Sequence, residues 1–236
     1  MKLEVCVETA AGLELAAACG VDRIELCEGL DLGGLTPSFA MMRYAASLPV
    51  PTFALIRPRP GNFVYTVREI DVMIDDIHAA RDVGIAGVVL GVLHEDHSLN
   101  RAALQALLDH CAGLGRTLHR GFDLTPDLFA AADVAIELGF DRILTSGGAP
   151  TAMQGSRTIA ELARRTAGRI SIMPGAGIRA DNVAWALGTD HIEEVHASCR
   201  KPPGDASPQG NFDFIAPTRD ADVIALRSLL SALQGS

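Results

Sequence analysis

Paired cysteines, long apolar runs and an excess of positive charge are all missing from this sequence, and each absence excludes a class of protein. The five cysteines, Cys6, Cys19, Cys27, Cys111 and Cys199, are odd in number and form no CxxC pair. That pattern points to free thiols in a reducing compartment and away from a disulfide framework. No apolar run reaches the ~18 residues of a membrane span, and the opening MKLEVCVE has no long apolar segment of the kind a secretory leader needs. Lysine and arginine number 20 against 29 aspartates and glutamates, a formal net charge of −9. A general binder of nucleic acid or of an anionic membrane needs a basic surface, so neither partner is expected. No GxGxxG follows the first strand, and no stretch is of low complexity. What remains is a cytoplasmic protein acting on a small molecule, with homo-oligomer formation left open.

What is present is enough apolar sequence for a full core. The chain has 236 residues, 48% hydrophobic and 21% charged, and residues 1–236 read as one domain. Strands are expected at Leu3–Val7, Arg23–Cys27, Thr52–Arg57, Gly87–Gly91, Arg116–Arg120, Asp141–Thr145, Arg169–Met173 and Ile192–Ala197. Helical patterns fill the gaps. Ile70, Met73, Ile74 and Ile77 share one helical face after a Thr66–Glu69 capping box. Thr36-Pro37 and Thr125-Pro126 read as helix starts, Asn100 as a cap, and Gly20, Gly113 and Gly139 as helix ends. Further helices are expected at about 157–167, 181–187 and 220–233. Eight βα units in under 250 residues fit a single (β/α)8 TIM-type barrel. An open doubly wound sheet would concentrate its chemistry at one crevice, whereas here polar residues end many strands.

Strand parity says which residues look inward. Leu3, Val5, Val7, Ile24, Leu26, Ala54, Ile56, Val195 and Ala197 suit the helix layer. The opposite set is Glu4, Cys6, Arg23, Glu25, Cys27, Arg57, His119, Glu194, His196 and Ser198, which then points into the barrel. A barrel interior is ordinarily filled by bulky branched side chains. One this polar needs ion pairing, and its groups nearest the strand C-termini are site candidates. Glu4, Arg23 and Glu194, early in their strands, read as a buried salt-bridge layer.

The late positions carry the chemistry. Cys6 and Cys27 end neighbouring strands with the same parity, and two thiolates suit a soft ion such as Cu(I); free cysteine also serves as a small buried hydrophobe. Arg57 suits a carboxylate or phosphate, or else a salt bridge to Glu25 or Glu28. His119, followed by Arg120 and Asp123, is the leading general acid/base candidate, with His196 its competitor. Glu25, Arg57, His119, Arg120, Asp123 and His196 thus form the candidate catalytic set. Ser146, Gly147 and Gly148, with Gly175 and Gly177, lie in loops that lead into helices, where backbone amides can cradle an anion at the mouth; tight turns are the plainer use of such glycines. His94-Glu95-Asp96-His97 has the composition of a metal cluster but reads better as a solvated loop. Residues 200–217, rich in Pro and Gly, form a loop long enough to be a lid or a flexible flap.

The segments LEVCVET, DRIELCEGLDLGGLTPS, IRPRPGNFVYT, GVVLGVL, LHRGFD, GFDRILTSGG, IMPGAGI and EVHASCR together resemble the CutC family, named for copper homeostasis. They cover nearly the whole chain up to about Arg200. The resemblance implies a TIM-type barrel, a cytoplasmic location and a Cu(I) site at the family's two cysteines, which match Cys6 and Cys27. Where that family usually carries a Thr-Pro-Asp-Gly-like turn, this chain has His94–His97, which argues against a shared metal role for those histidines. Two readings follow. One is a copper-handling protein. The other is an enzyme performing acid/base chemistry on a small anionic or sugar-like ligand.

Overall fold

Eight short parallel strands alternate with eight helices in the computed structural model, which describes residues 1–200 and 221–234. The strands are β1 (Lys2–Val7), β2 (Arg23–Leu26), β3 (Thr52–Leu55), β4 (Gly87–Leu90), β5 (Gly115–Leu118), β6 (Arg142–Thr145), β7 (Ser171–Pro174) and β8 (Glu194–Ala197). Their ladder order is β7-β6-β5-β4-β3-β2-β1-β8. The two end strands, β7 and β8, pack side by side and close the ring as a TIM-type barrel, with no ladder between them. The helices are α1 (Ala10–Cys19), α2 (Phe39–Ala46), α3 (Val67–Asp82), α4 (Arg101–Leu108), α5 (Leu128–Glu137), α6 (Ser156–Thr166), α7 (Ala184–Leu187) and α8 (Val223–Gln234). No helix among the described residues is long and apolar enough to cross a membrane. The loop expected at 200–217 lies, apart from Arg200, outside the described residues.

Helix starts follow side-chain capping. Thr66 and Glu69 form the expected capping box on α3, and Asn100 caps α4. The two Thr-Pro starts move by two residues. Ser38 caps α2 and Asp127 caps α5, both strong acceptors for the free N–H groups of a first turn. The threonines tie loops instead. Thr36 Oγ1 accepts from the Arg57 N–H at 2.9 Å, and Thr125 Oγ1 donates to the Phe122 carbonyl. Helix α4 stops at Leu108, well before Gly113, because Asp109 already closes its last turn.

Strand parity divides the core as expected. The outward set from Leu3 to Ala197 packs under the helices in one continuous apolar cluster. A smaller cluster of Cys6, Cys27, Phe53, Leu55 and Val89 lies inside the barrel. The Phe53 ring fits there because β4 and β5 begin with Gly87 and Gly115; a Cβ on either would fall 2.4 Å from that ring.

Below this cluster is the expected charge layer, with one more member. Arg23 Nε donates to Glu4, and its Nη2 reaches Glu194 Oε2 at 2.6 Å. Arg142 Nε donates to the other Glu194 oxygen at 3.1 Å, and both guanidinium groups stand over the Phe53 ring. Burial alone raises the Glu194 carboxyl, yet Arg23 and Arg142 outweigh it and hold the group below its ordinary range. Removing one partner of such a layer leaves an uncompensated buried charge. Arg23→Met is therefore expected to lower the unfolding free energy by about 3–5 kcal/mol in urea denaturation. A loss below about 1 kcal/mol, the scale of an exposed pair, would show that the layer is not a structural support.

Candidate functional site

A cavity of about 410 Å³ opens at the C-terminal ends of the strands. Cys6, Glu25, Cys27, Arg57, His119, Arg120, Asp123 and His196 line it, together with Leu30, Leu55, Phe63, Leu124 and Leu144. Every side chain of the candidate catalytic set and both candidate thiols therefore meet in one place. The anion-loop residues Ser146, Gly147, Gly148, Gly175 and Gly177 do not line it. Gly177 belongs to a neighbouring cavity of about 470 Å³, beside Arg179, Ser198 and Arg200.

Strand register builds the floor. Cys6 pairs with Glu25 across β1 and β2, and Glu4 pairs with His196 across β1 and β8. The Glu4 carboxylate is shared, one oxygen going to Arg23 and the other accepting from His196 Nδ1 at 2.8 Å. That bond turns His196 Nε2 toward Glu25 Oε2, 3.7 Å away. One donor atom each from Cys6, Glu25 and His196 lies within 4.8 Å of the other two, and all three residues are buried. Among the described residues this is the one group of three or more so placed. Cys27 lines the cavity outside that group. His94 and His97 are in no such group, and Asp96 instead accepts from the backbone and hydroxyl of Ser98.

Burial sets the charge states of this floor. It raises the Glu4 carboxyl, but His196 and Arg23 outweigh it and bring the group down to about 2. Burial likewise raises Glu25, with Glu4 adding to it, and there the result is a carboxyl pushed up to about 7. Burial works against charge on His196, but Cys6, Glu4 and Glu25 outweigh it and hold the imidazole well above its ordinary value. Burial, then Glu25, pushes the Cys27 thiol well above its ordinary value.

The opposite wall is held by backbone. Arg57 donates to the carbonyls of Leu32, Gly34 and Gly61, at 3.1, 2.8 and 2.8 Å, and its guanidinium stands 5.0 Å over the Phe63 ring. No carboxylate among the described residues pairs with it, so the alternatives of Glu25 or Glu28 are not its partners. His119 Nδ1 accepts from the Gly121 N–H at 3.0 Å. The proton of the neutral ring therefore sits on Nε2, which has no partner. The ring packs against Phe63 at 4.5 Å and fills the space left by Gly91 and Gly121. Burial, with Arg57 nearby, pulls its pKa down to about 4.

The glycine loop after β6 already holds an anion, supplied by the protein itself. Asp123 Oδ1 accepts from the N–H groups of Ser146 and Gly148 at 3.0 and 3.1 Å, and also from Thr145 Oγ1. The Gly147 N–H goes to Thr145 Oγ1. Arg120 closes the arrangement by donating to Asp123 and to Ser146 Oγ. These amides cradle a carboxylate, as expected of their geometry, but the carboxylate is internal, and Asp123 and Arg120 are spent on it. Gly175 serves close packing: a Cβ there would meet Leu144 at 2.5 Å and His196 at 3.4 Å.

Three residues at or under the site were not picked out as site candidates. Glu4 was assigned to the salt-bridge layer alone, and its second bond depends on which strand closes the ring. Arg142 begins its strand with no signal of depth. Phe63 lies in a loop, where periodicity gives no orientation.

Comparison with known proteins agrees with this architecture. The CutC family model matches residues 1–201. A CutC family protein of Rhizobium meliloti is 48% identical, covering 98% of this chain and 97% of its own. Another, from Agrobacterium fabrum, is 51% identical over 86% of this chain and 81% of its own. The crystal structure of a CutC from Streptococcus agalactiae superposes with a TM-score of 0.79 at 30% identity, covering 83% of this chain and 97% of that one.

The buried His119 has a consequence for stability. A histidine whose pKa falls on folding contributes stability above its unfolded value, near 6.5, and that contribution is lost as pH falls through the folded value. Acidification from about pH 6.5 to about 4 is expected to cost about 3 kcal/mol through this residue. Urea denaturation of His119→Gln across that range should show a correspondingly flatter profile. An unchanged slope would place the acid sensitivity elsewhere.

Proposed function

The chain belongs to the CutC family, and from that premise we propose that it serves copper homeostasis by binding Cu(I) between the thiols of Cys6 and Cys27. The Streptococcus agalactiae relative takes its name from copper homeostasis. The supporting observation is that both thiols are buried, line one cavity and share an apolar cluster with Leu55 and Val89. Soft thiolates in such surroundings suit a low-coordinate Cu(I). Burial disfavours a bare thiolate at Cys27, so the metal itself must supply the compensating charge and displace the proton. A reducing cytoplasm would keep both thiols available.

A second reading has its own observation. Arginine is a permanent cation, and Arg57 lines the cavity, 5% exposed, with no acidic partner among the described residues. An uncompensated buried charge is costly, and a small anionic ligand would supply the counter-charge. His119 would contribute its Nε2–H and Glu25 a proton acceptor, the elements of acid/base catalysis on a carbonyl compound. With the amides of Ser146 and Gly148 committed to Asp123, this reading rests on Arg57 and no longer on the glycine loops.

Two measurements separate these readings. In an anaerobic Cu(I) competition titration, one Cu(I) per chain is expected, lost in the double variant Cys6→Ser, Cys27→Ser and retained in Cys19→Ser and Cys111→Ser. Unchanged stoichiometry in the double variant would remove the thiol site. For the ligand reading, acetate, pyruvate, phosphate and sulfate are compared by thermal unfolding. A ligand at 100 times its dissociation constant is expected to add about 2.7 kcal/mol of stability, and Arg57→Met, if its circular dichroism is native, should abolish the gain. No stabilisation by any of the four would count against an anion at Arg57.

A further inference from the structure

We infer that Cys6, Glu25 and His196 form a three-ligand site for a borderline divalent cation of the zinc class, separate in its requirements from a two-thiol Cu(I) site. Its donors are one sulfur, one carboxylate oxygen and one imidazole nitrogen, delivered by β1, β2 and β8. They lie within 4.8 Å of one another. Ligands about 2.0–2.3 Å from a tetrahedral ion stand about 3.3–3.8 Å apart, so small side-chain rotations bring the set onto a metal. All three line the cavity, where a fourth coordination position meets open space.

Three observations point to a cation at this spot. The first is orientation. His196 Nδ1 is bound to the Glu4 carboxylate at 2.8 Å, the carboxylate–histidine pairing that fixes a metal-binding imidazole and raises its basicity. Nε2, the nitrogen left for a ligand role, is the one near Glu25. The second is charge. Glu4, Glu25 and Glu194 bury three carboxyl groups inside the barrel; Arg23 and Arg142 pair with Glu4 and Glu194, while the third buried guanidinium, Arg57, donates to backbone carbonyls. Among the described residues no arginine pairs with Glu25, whose charged neighbour is His196; a dication bound by one thiolate and one carboxylate would give a neutral centre. The third is donor chemistry. A mixed S, N, O set suits zinc-like ions, whereas Cu(I) prefers sulfur and gains little from a carboxylate. Cys27, essential to a two-thiol site, plays no part in this one.

Co(II) is the spectroscopic probe. Added to the full-length apoprotein without oxygen, it should give tetrahedral visible bands and a near-ultraviolet thiolate-to-cobalt band at one equivalent, both removed by Zn(II). Cys27→Ser should leave the spectrum intact. Cys6→Ser should abolish the thiolate band, and Glu25→Gln and His196→Gln should each weaken binding at least 10-fold. Glu4→Gln, which acts through His196, is expected to weaken it by about 10–100-fold while the bands keep their positions. Should a charge variant fail to fold, the wild type and Cys27→Ser decide the matter. No thiolate band in the wild type, or one that survives Cys6→Ser or disappears in Cys27→Ser, overturns the site. Cu(I) titrated in parallel keeps the two metal readings apart, since Cu(I) binding needs Cys27 and should survive Glu25→Gln.

Discussion

The shared carboxylate of Glu4 joins the two halves of the barrel interior. One oxygen accepts from Arg23 and holds the lower charge layer; the other accepts from His196 and orients the floor of the cavity. A buried carboxylate with a single partner would be costly in so dry a place. Two donors on opposite sides keep it ionised, and that permanent negative charge sets the surroundings of its neighbours. It helps to raise the Glu25 carboxyl and to hold the His196 imidazole above its ordinary value. The electrostatics of the mouth therefore begin with a residue two positions below it on β1.

The mouth itself is built from groups already spoken for and groups left over. Asp123 consumes the amides of the loop after β6, and carbonyl oxygens consume most of what Arg57 can donate. These bonds make the walls rigid before any ligand arrives, which is how a site is held close to its working geometry. The groups left over are few: the Arg57 charge, the His119 Nε2–H, and the Cys6, Glu25 and His196 cluster with Cys27 beside it. A cavity with so few free polar groups and five apolar side chains in its lining suits a small ligand held by one or two polar contacts.

The barrel, its inward parity and the convergence of eight candidate residues on one cavity are legible in the sequence, because period-2 alternation in short strands leaves little choice of face. Glu25, Cys27 and His196 follow from parity alone. Pairing between side chains was less legible. Arg57 suits either an anionic ligand or a salt bridge to Glu25 or Glu28, and its partners in the fold are carbonyls, because the Gly29–Gly34 loop folds back over it in a way that glycine permits without specifying. Asp123 lines the cavity and also serves as the anion in the neighbouring loop, a second bond that local sequence cannot show because it depends on which amides a carboxylate will reach. Helix starts shifted by two residues for a similar reason: Ser38 and Asp127 compete with Thr36 and Thr125 as caps, and the threonines find loop partners.

One feature of the ring bears on its mechanics. Strands β7 and β8 meet without a ladder, so the barrel has a seam that backbone hydrogen bonds do not stitch. Side chains fasten it instead. Glu194 on β8 takes a hydrogen bond from Ser171 on β7 and another from Arg142 on β6. This clasp sits at the lower end; at the upper end of the seam Gly175 lies close against His196. The ring is thus closed like a collar with one buckle, and the buckle is the same Glu194 carboxylate that anchors the buried charge layer, so a change there loosens ring closure and charge layer together.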